Sequence, residues 1–231
     1  MIKTIAFDAD DTLWHNERMF VSIKDKYKAL LSEYHDGEWI EQRLNAAETV
    51  NIKHFGYGVK GFALSMIETA IDLTEGRIKG SEVLEIIGYA REMLTAPVDL
   101  LEGVQATVQK LSQRYDLMVI TKGDLFDQEA KLARSGIGDY FSAFEIIPQK
   151  NAKTYQYILR RHQIRPDEFV MVGNSLKSDI LPVLEIGARA VHIPYEIDWF
   201  HEMVSDEELR DKTFARLNKM SELPVWLKKQ S

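Results

Sequence analysis

Near its amino terminus the chain reads Ile2-Lys3-Thr4-Ile5-Ala6-Phe7-Asp8-Ala9-Asp10-Asp11-Thr12-Leu13. A short apolar run here ends in an acidic tip, which is typical of a parallel strand buried on both faces. Ligands of open α/β sheets bind beyond the carboxyl ends of the strands, so the tip is a candidate site. Its clustered carboxylates repel one another unless a divalent cation or hydrogen-bond donors offset their charge. Taken alone, the tip also fits a solvated acidic loop that caps a helix.

The same arrangement of an apolar run and a polar tip recurs along the chain. Further runs of this kind occupy residues 117–120, 144–147, 169–172 and 190–194. Between them, apolar residues repeat at helical spacing over residues 104–114, 125–135, 152–162 and 178–186. Strands that alternate with helices predict an α/β fold with a doubly wound parallel sheet. An additional edge strand within residues 214–220 and a short helix from residue 222 are predicted at the carboxyl end.

Residues 15–97 interrupt this alternation, because they contain helical patterns and no convincing strand. The longest predicted loop in this region covers residues 51–61. A block of helices inserted after the first strand predicts a separate small α-helical domain. The expected organisation is therefore an α/β catalytic core of residues 1–14 and 98–231, with an α-helical cap of residues 15–97.

Composition excludes several classes of protein. The net charge is −7 and no run is rich in Lys or Arg, which argues against binding to nucleic acid. Cysteine is absent, so disulfides, thiolate metal sites and thiol nucleophiles are excluded. The amino terminus lacks the apolar region of a signal peptide, and no stretch approaches the roughly 20 apolar residues of a membrane span. A cytoplasmic protein that binds no membrane is expected.

Three more motifs follow the acidic tip in the sequence. The first is Val119-Ile120-Thr121-Lys122-Gly123, in which Thr121 ends an apolar run. The second is Pro148-Gln149-Lys150-Asn151-Ala152-Lys153-Thr154-Tyr155, and the third is Gly173-Asn174-Ser175-Leu176-Lys177-Ser178-Asp179. Together with Asp8-Ala9-Asp10-Asp11-Thr12, they resemble in kind and order the four motifs of the haloacid dehalogenase superfamily, in its phosphatase branch.

The resemblance implies a phosphatase that uses Mg²⁺ and hydrolyses a small phosphomonoester metabolite through a phospho-aspartate intermediate. In that family the first Asp attacks phosphorus and the Asp two residues later transfers the proton. The implied catalytic residues are Asp8, Asp10, Thr121 and Lys150. The implied phosphate-binding residues are Ala9, Asp10, Thr121, Lys122, Gly123 and Lys150. The implied Mg²⁺ ligands are Asp8, Asp10, Asn174 and Asp179.

Two positions in these motifs bear directly on the charge of the predicted site. Lys150 fits the family pattern better than Lys153, because Tyr155 follows Lys150 at the usual offset. Asn174 stands where this branch more often has Asp, so an amide oxygen replaces a carboxylate. Asp8 and Asp179 must then supply the negative charge around the cation.

Alternative functions remain at this point. A haloacid dehalogenase would use Asp8 against carbon and would not need Asp10 as an acid. A mutase would pass the phosphoryl group to a second substrate, and a protein with an eroded site would only bind phosphate. A helical cap favours a small phosphorylated metabolite over a phosphoprotein as the partner. The protein is expected to be a monomer or a homodimer.

Overall fold

The first strand, β1 (Thr4–Phe7), is buried along its whole length in the middle of a parallel sheet. The structure is a computed structural model that describes residues 1–197 and 199–230. These residues form two compact units. The first unit consists of Met1–Glu17, Val98–Lys122 and the described part of Gln128–Ser231, and the second consists of Arg18–Pro97 and Gly123–Asp127. The roles of catalytic core and cap for these units remain predictions.

Helices follow β1 in the second unit. They are α1 (Glu17–Leu30), α2 (Gly37–Phe55), α3 (Val59–Leu73) and α4 (Gly80–Thr95). Their apolar faces pack into one core, in which Tyr27 and Met66 are fully buried. The Tyr27 hydroxyl donates a hydrogen bond to the Met66 carbonyl at 2.8 Å, which joins α1 to α3. The helical patterns of the sequence are confirmed in this unit.

The predicted loop over residues 51–61 is wrong, because most of it is helical. Helix α2 continues to Phe55 and α3 begins at Val59. Asn51 is buried and its side-chain amide donates to the Glu68 carboxylate at 2.6 Å, so this polar residue belongs to a helix-to-helix contact. Gly56 and Gly58 take positive φ angles of 74° and 112° and allow the sharp turn between the helices.

The sheet and its helices make up most of the first unit. After α4 the elements are α5 (Val104–Leu111), β2 (Asp116–Lys122), α6 (Leu125–Arg134), β3 (Ala143–Ile147), α7 (Ala152–Arg161), β4 (Phe169–Gly173), α8 (Leu181–Glu185), β5 (Arg189–His192), α9 (Asp206–Leu209), β6 (Ala215–Arg216) and α10 (Leu223–Lys228). The described strands are all parallel and their order is β3-β2-β1-β4-β5-β6. The prediction of a doubly wound α/β fold is confirmed.

Side chains alternate across this sheet, as the pleat of a strand requires. Ile5 and Phe7 pack into one apolar cluster, while Ala6 between them packs into the cluster on the opposite face. Burial on both faces explains why the strands read as continuous apolar runs and not as alternating patterns. None of the described helices combines the length and the apolar character of a membrane span.

The predicted helix over residues 178–186 is divided in two. A wide π-helical turn covers Leu176–Ile180, and α8 follows directly. Ser175 begins the turn, and its hydroxyl accepts a hydrogen bond from the Ser178 amide at 2.9 Å. In the motif at residues 173–179, Ser178 and Asp179 therefore lie on a turn that follows β4.

The strand register brings the motifs to one edge of the sheet. Phe7 lies opposite Val119 of β2 and Val172 of β4. The Asp8 amide donates to the Val172 carbonyl at 2.9 Å, so Asp8 is level with the start of the loop that follows β4. The carboxyl ends of β1, β2 and β4 therefore deliver their polar residues to the same place.

Candidate active site

A buried lysine links two of the predicted site residues. The Lys150 ammonium contacts Asp8 Oδ1 and lies 2.6 Å from Asp179 Oδ1. The three residues are 7%, 8% and 0% exposed, in the order Lys150, Asp8 and Asp179, so solvent screens these charges weakly. Lys153 is exposed. Of the two lysines considered from the sequence, Lys150 is the one that contacts Asp8.

These charges do not balance within the trio. Two carboxylates share one ammonium, which leaves a net charge of −1 when all three groups are ionised. Burial raises the pKa of Asp8 to about 7, against the opposing effect of Lys150, and the Asp179 charge adds to the rise. Burial likewise raises the pKa of Asp179. Burial alone would lower the pKa of Lys150, but the Asp179 and Asp8 carboxylates raise it above its usual value.

An amide oxygen lies beside this trio. The Thr12 hydroxyl is 3.3 Å from Asp8 Oδ2 and 3.1 Å from Asn174 Oδ1. The same hydroxyl accepts a hydrogen bond from the backbone N–H of Asn174 at 3.1 Å. Within residues 1–197 and 199–230, no group of three or more His, Asp or Glu side chains is arranged to hold a metal ion. The candidate metal ligands are instead the Asp8 and Asp179 carboxylates and the side-chain amide oxygen of Asn174. Hard oxygen donors with an unbalanced negative charge fit Mg²⁺.

Gly173 makes room for Asp179. A Cβ atom at position 173 would lie 2.2 Å from Asp179 Oδ2 and 2.6 Å from Asp179 Cβ. No L side chain can be placed at such distances, so the carboxylate packs directly on the bare backbone of β4. The Ser175 amide holds the same Oδ2 at 3.1 Å.

We expect Gly173→Ala to displace Asp179 from Lys150 and from the Ser175 amide. The predicted loss of stability is about 1–3 kcal/mol, the usual cost of overpacking, and it should appear in urea unfolding. Gly88→Ala is the matched control, because nothing lies within 4 Å of an added Cβ there and the site is inside α4. That control should leave stability unchanged or raise it by about 1 kcal/mol. Equal stability of the Gly173 variant and wild type would contradict the packing argument.

Asp10 is held by a different set of side chains. Its Oδ1 accepts from Trp14 Nε1 at 2.7 Å and from Lys131 Nζ at 3.1 Å, and its Oδ2 accepts from Gln128 Nε2 at 2.8 Å. Gln128 and Lys131 are one turn apart on α6 and therefore share a face of that helix. No sequence motif marks either residue, so neither was predicted as part of the site.

Asp11 supports the local backbone. Its Oδ1 accepts from the amides of Asn16 and Glu17 at 2.8 and 3.1 Å, at the start of α1. Its φ of 61° is in the left-handed region. Burial is the largest cause that raises the pKa of Asp11 to about 7. This placement agrees with a local hydrogen-bonding role.

We expect Asp11→Asn to stabilise the protein at high pH. The folded pKa of about 7 lies above the ordinary 3.8, so the wild type loses stability as pH rises between these values. An Asn amide oxygen can accept both backbone hydrogen bonds and tolerates the positive φ. The gain should be about 1–3 kcal/mol near pH 8 and should vanish near pH 4, as measured by chemical unfolding. A gain that does not change with pH would contradict a buried charge at Asp11.

The other predicted phosphate-binding residues lie at strand ends. Ala9 is fully buried, and its carbonyl accepts from the Leu13 amide at 2.8 Å in the turn after β1. Thr121 is buried at the end of β2, and its hydroxyl donates to the Lys122 carbonyl at 3.1 Å. The Lys122 ammonium contacts Glu202. Gly123 follows with a φ of 132° and belongs to the second unit.

Comparison with known proteins adds independent information. A family model described as haloacid dehalogenase-like hydrolase matches residues 2–187. The glyceraldehyde 3-phosphate phosphatase of Methanocaldococcus jannaschii is 25% identical over 238 residues, covering 99% of this chain and all of that protein. Human N-acylneuraminate-9-phosphatase is 23% identical over 203 residues, covering 82% of this chain and 81% of that protein. A solved haloacid dehalogenase-like family hydrolase from Xanthomonas campestris has a TM-score of 0.88 and 37% identity, covering 99% of this chain and 91% of that one.

Proposed function

This chain belongs to the haloacid dehalogenase-like hydrolases, and we propose that it is a Mg²⁺-dependent phosphatase with Asp8 as its nucleophile. The proposed substrate is a small phosphomonoester metabolite. The observation that carries the proposal is the buried Lys150, whose ammonium is shared by Asp8 and Asp179 at the carboxyl edge of the sheet. This arrangement offers a carboxylate nucleophile beside a fixed positive charge, as phosphoryl transfer requires.

In the first half-reaction an Asp8 oxygen forms a bond to phosphorus, and the bond between phosphorus and the leaving alcohol oxygen breaks. Asp10 gives its proton to that oxygen. In the second half-reaction a water molecule attacks phosphorus, Asp10 takes up a water proton, and the bond to Asp8 breaks to release phosphate. Lys150 and the Thr121 hydroxyl hold the phosphoryl oxygens, on which negative charge is concentrated.

Three oxygen donors would hold the cation: Asp8, Asn174 and Asp179. When bound, Mg²⁺ offsets the repulsion between a carboxylate nucleophile and the phosphate dianion. Asp10 was also predicted as a ligand. We assign its carboxylate to proton transfer alone, because its oxygens accept hydrogen bonds from Trp14 and from α6.

We expect Lys131→Met to affect substrates according to their leaving groups. Lys131 helps to orient Asp10, and an alkoxide needs a proton from Asp10 whereas nitrophenolate leaves without one. The kcat/KM for alkyl phosphates, which reports the steps up to departure of the leaving group, should fall by roughly 10–100-fold, and the kcat/KM for p-nitrophenyl phosphate should change little. Arg134→Met, an exposed change on the same helix, is the control. An equal loss of kcat/KM for both substrates would show that Lys131 has only a general structural role.

The substrate can be sought among small phosphomonoesters. The relatives named above act, by their names, on glyceraldehyde 3-phosphate and on N-acylneuraminate 9-phosphate, and both compounds belong in the panel. Phosphate release would be measured with Mg²⁺ and with a chelator. Borohydride reduction during turnover, followed by peptide mapping, would locate an acyl phosphate by its conversion to homoserine at the modified position.

Mg²⁺-dependent release with homoserine at position 8 is the expected result. Release without any modification of Asp8 would overturn the covalent mechanism and leave the phosphatase activity standing. Halide release from a 2-haloacid would identify a dehalogenase, and transfer of phosphate to a second substrate would identify a mutase. Absence of every reaction in a folded protein would favour a phosphate-binding module.

A further inference from the structure

A second charged cluster lies in the first unit, and none of the four sequence motifs contains its central residue, Glu202. Glu202 ends a short 3₁₀ turn, Phe200–Glu202, that follows β5. Its carboxylate accepts short hydrogen bonds from the Lys122 ammonium and the Ser175 hydroxyl, and one of 2.5 Å from the Ser178 hydroxyl. Lys122 also donates to Ser178 Oγ at 3.0 Å. Three side-chain donors therefore surround one carboxylate.

The donors around Glu202 stabilise its negative charge. Burial alone would raise the pKa of Glu202, but the Lys122 ammonium and the Ser175 and Ser178 hydroxyls hold it below its usual value. Lys122 and Glu202 side chains are only 14% and 15% exposed, so little water competes for these bonds. A carboxylate bound by an ammonium and two hydroxyls has the hydrogen-bond pattern of a bound carboxylate or phosphate ligand.

The donors adjoin the proposed reaction centre, whereas the carboxylate comes from elsewhere in the chain. Lys122 follows Thr121 at the end of β2. Ser175 and Ser178 lie between Asn174 and Asp179 in the sequence, and the Ser175 backbone amide donates to Asp179 Oδ2 at 3.1 Å. The backbone that carries the three donors thus belongs to β2 and to the turn after β4, and not to the segment of Glu202.

Two apolar residues that flank Glu202 in the sequence are well exposed. Phe200 and Met203 on either side are 40% and 70% exposed. The contacts of the segment include the Lys177 ammonium with the His201 carbonyl at 2.8 Å, and the Lys122 ammonium 5.8 Å from the Trp199 ring centre. A segment that buries little apolar surface opens at low free-energy cost, so its polar contacts decide whether it stays in place.

We propose that Lys122, Ser175 and Ser178 form a second anion subsite, occupied by Glu202 until a substrate with a second anionic group replaces it. The proposal rests on the phosphatase function, since the first anionic group is the phosphoryl group at Asp8. A carboxylate or phosphate on the substrate accepts the same hydrogen bonds that Glu202 accepts, so no buried donor is left unpaired. A neutral hydroxyl cannot replace the negative charge beside Lys122. The preferred substrates are therefore phosphomonoesters that carry a second acidic group.

The test measures ligand binding by calorimetry. All variants carry Asp8→Asn, so that turnover does not interfere. The first matched pair is 3-phosphoglycerate and glycerol 3-phosphate, which differ in a carboxylate. The second pair is fructose 1,6-bisphosphate and fructose 6-phosphate, which differ in a phosphate, so the two pairs separate the two kinds of second anion. Glu202→Gln removes the internal competitor, and the exposed Glu207→Gln is the control.

We expect Glu202→Gln to strengthen binding of the doubly anionic ligand in at least one pair. The gain relative to the singly anionic ligand of that pair should be on the order of tenfold. The reason is that a ligand binds only to the fraction of subsites that Glu202 leaves free, and the variant raises that fraction. Glu207→Gln should leave both ratios unchanged. Lys122→Met should abolish the preference. Ser178→Ala, which removes one donor and no charge, should reduce it and gives a second readout if the lysine variant does not fold.

Unchanged ratios in Glu202→Gln, or equal weakening of both members of each pair, would overturn the subsite and leave Glu202 as a structural residue. Failure of all four ligands to bind the folded Glu202→Gln protein would do the same. These results do not decide whether the protein is a phosphatase. Hydrolysis of phosphomonoesters without any preference rejects the subsite alone, and binding without hydrolysis rejects the phosphatase function alone.

Discussion

Replacement of Asp8 by Asn is expected to reduce phosphate release by at least about 10⁴-fold, the scale of loss when a covalent nucleophile is removed. The amide has nearly the size of the carboxylate but is a poor nucleophile toward phosphorus. Lys150 keeps Asp179 as its counter-ion, at 2.6 Å, so the variant should remain folded. Its circular dichroism spectrum and unfolding midpoint are therefore expected to stay close to those of the wild type.

The Asp8→Asn experiment needs two controls. Intact-mass analysis excludes reversion by deamidation, which would restore Asp8 and produce residual activity. Asp8→Glu keeps the carboxylate but moves it by one methylene, so it should also lose most activity if positioning at the end of β1 matters. Substantial phosphate release by Asp8→Asn, with its mass unchanged, would refute covalent catalysis through this residue.

The fold was largely predictable because its strands are buried on both faces. Such strands appear as apolar runs, and the run at residues 2–7 is the central strand β1, with β2 and β4 on either side. Parallel strands that alternate with helices place their carboxyl ends on one edge, so residues far apart in sequence could be expected together. Asp8 and Asp179 do meet there, around Lys150.

The supporting residues of the site could not be predicted. Glu202 is 80 residues from Lys122, and it approaches Lys122 from a segment with no strand or motif pattern. Gln128 and Lys131 look like ordinary polar positions of a surface helix, and only the packing of α6 against the acidic tip turns them toward Asp10. The predicted loop over residues 51–61 was too long, because Gly56 and Gly58 mark only a tight turn between two helices.

Replacement of Lys150 by Met is expected to affect both stability and catalysis. Methionine preserves much of the side-chain volume but leaves Asp8 and Asp179 buried without their shared counter-ion. Breaking a buried ion pair by removing one partner costs about 3–5 kcal/mol of unfolding free energy. We expect a further fall of about 10²–10³-fold in kcat, as when a donor to the transition-state oxygens is lost.

The pH dependence separates this explanation from simple loss of packing. The pKa of Asp8 is already raised to about 7 with Lys150 present, and the ammonium opposes that rise. Without Lys150 the folded protein should bind protons more tightly at this site, so stability is recovered as pH falls and is lost most severely above neutral pH. Urea unfolding near pH 8 and near pH 5 should therefore show a larger loss at the higher pH.

Two further variants test the role of Lys150. Lys153→Met changes an exposed lysine of the same motif and should leave stability and kcat unchanged, which would settle which lysine serves the site. Adding Asp8→Asn to Lys150→Met removes one of the two uncompensated charges and should restore part of the lost stability near pH 8, although not the activity. If the double variant is less stable than Lys150→Met alone, the destabilisation does not arise from buried charge, and the electrostatic account of the Asp8, Lys150 and Asp179 trio must be abandoned.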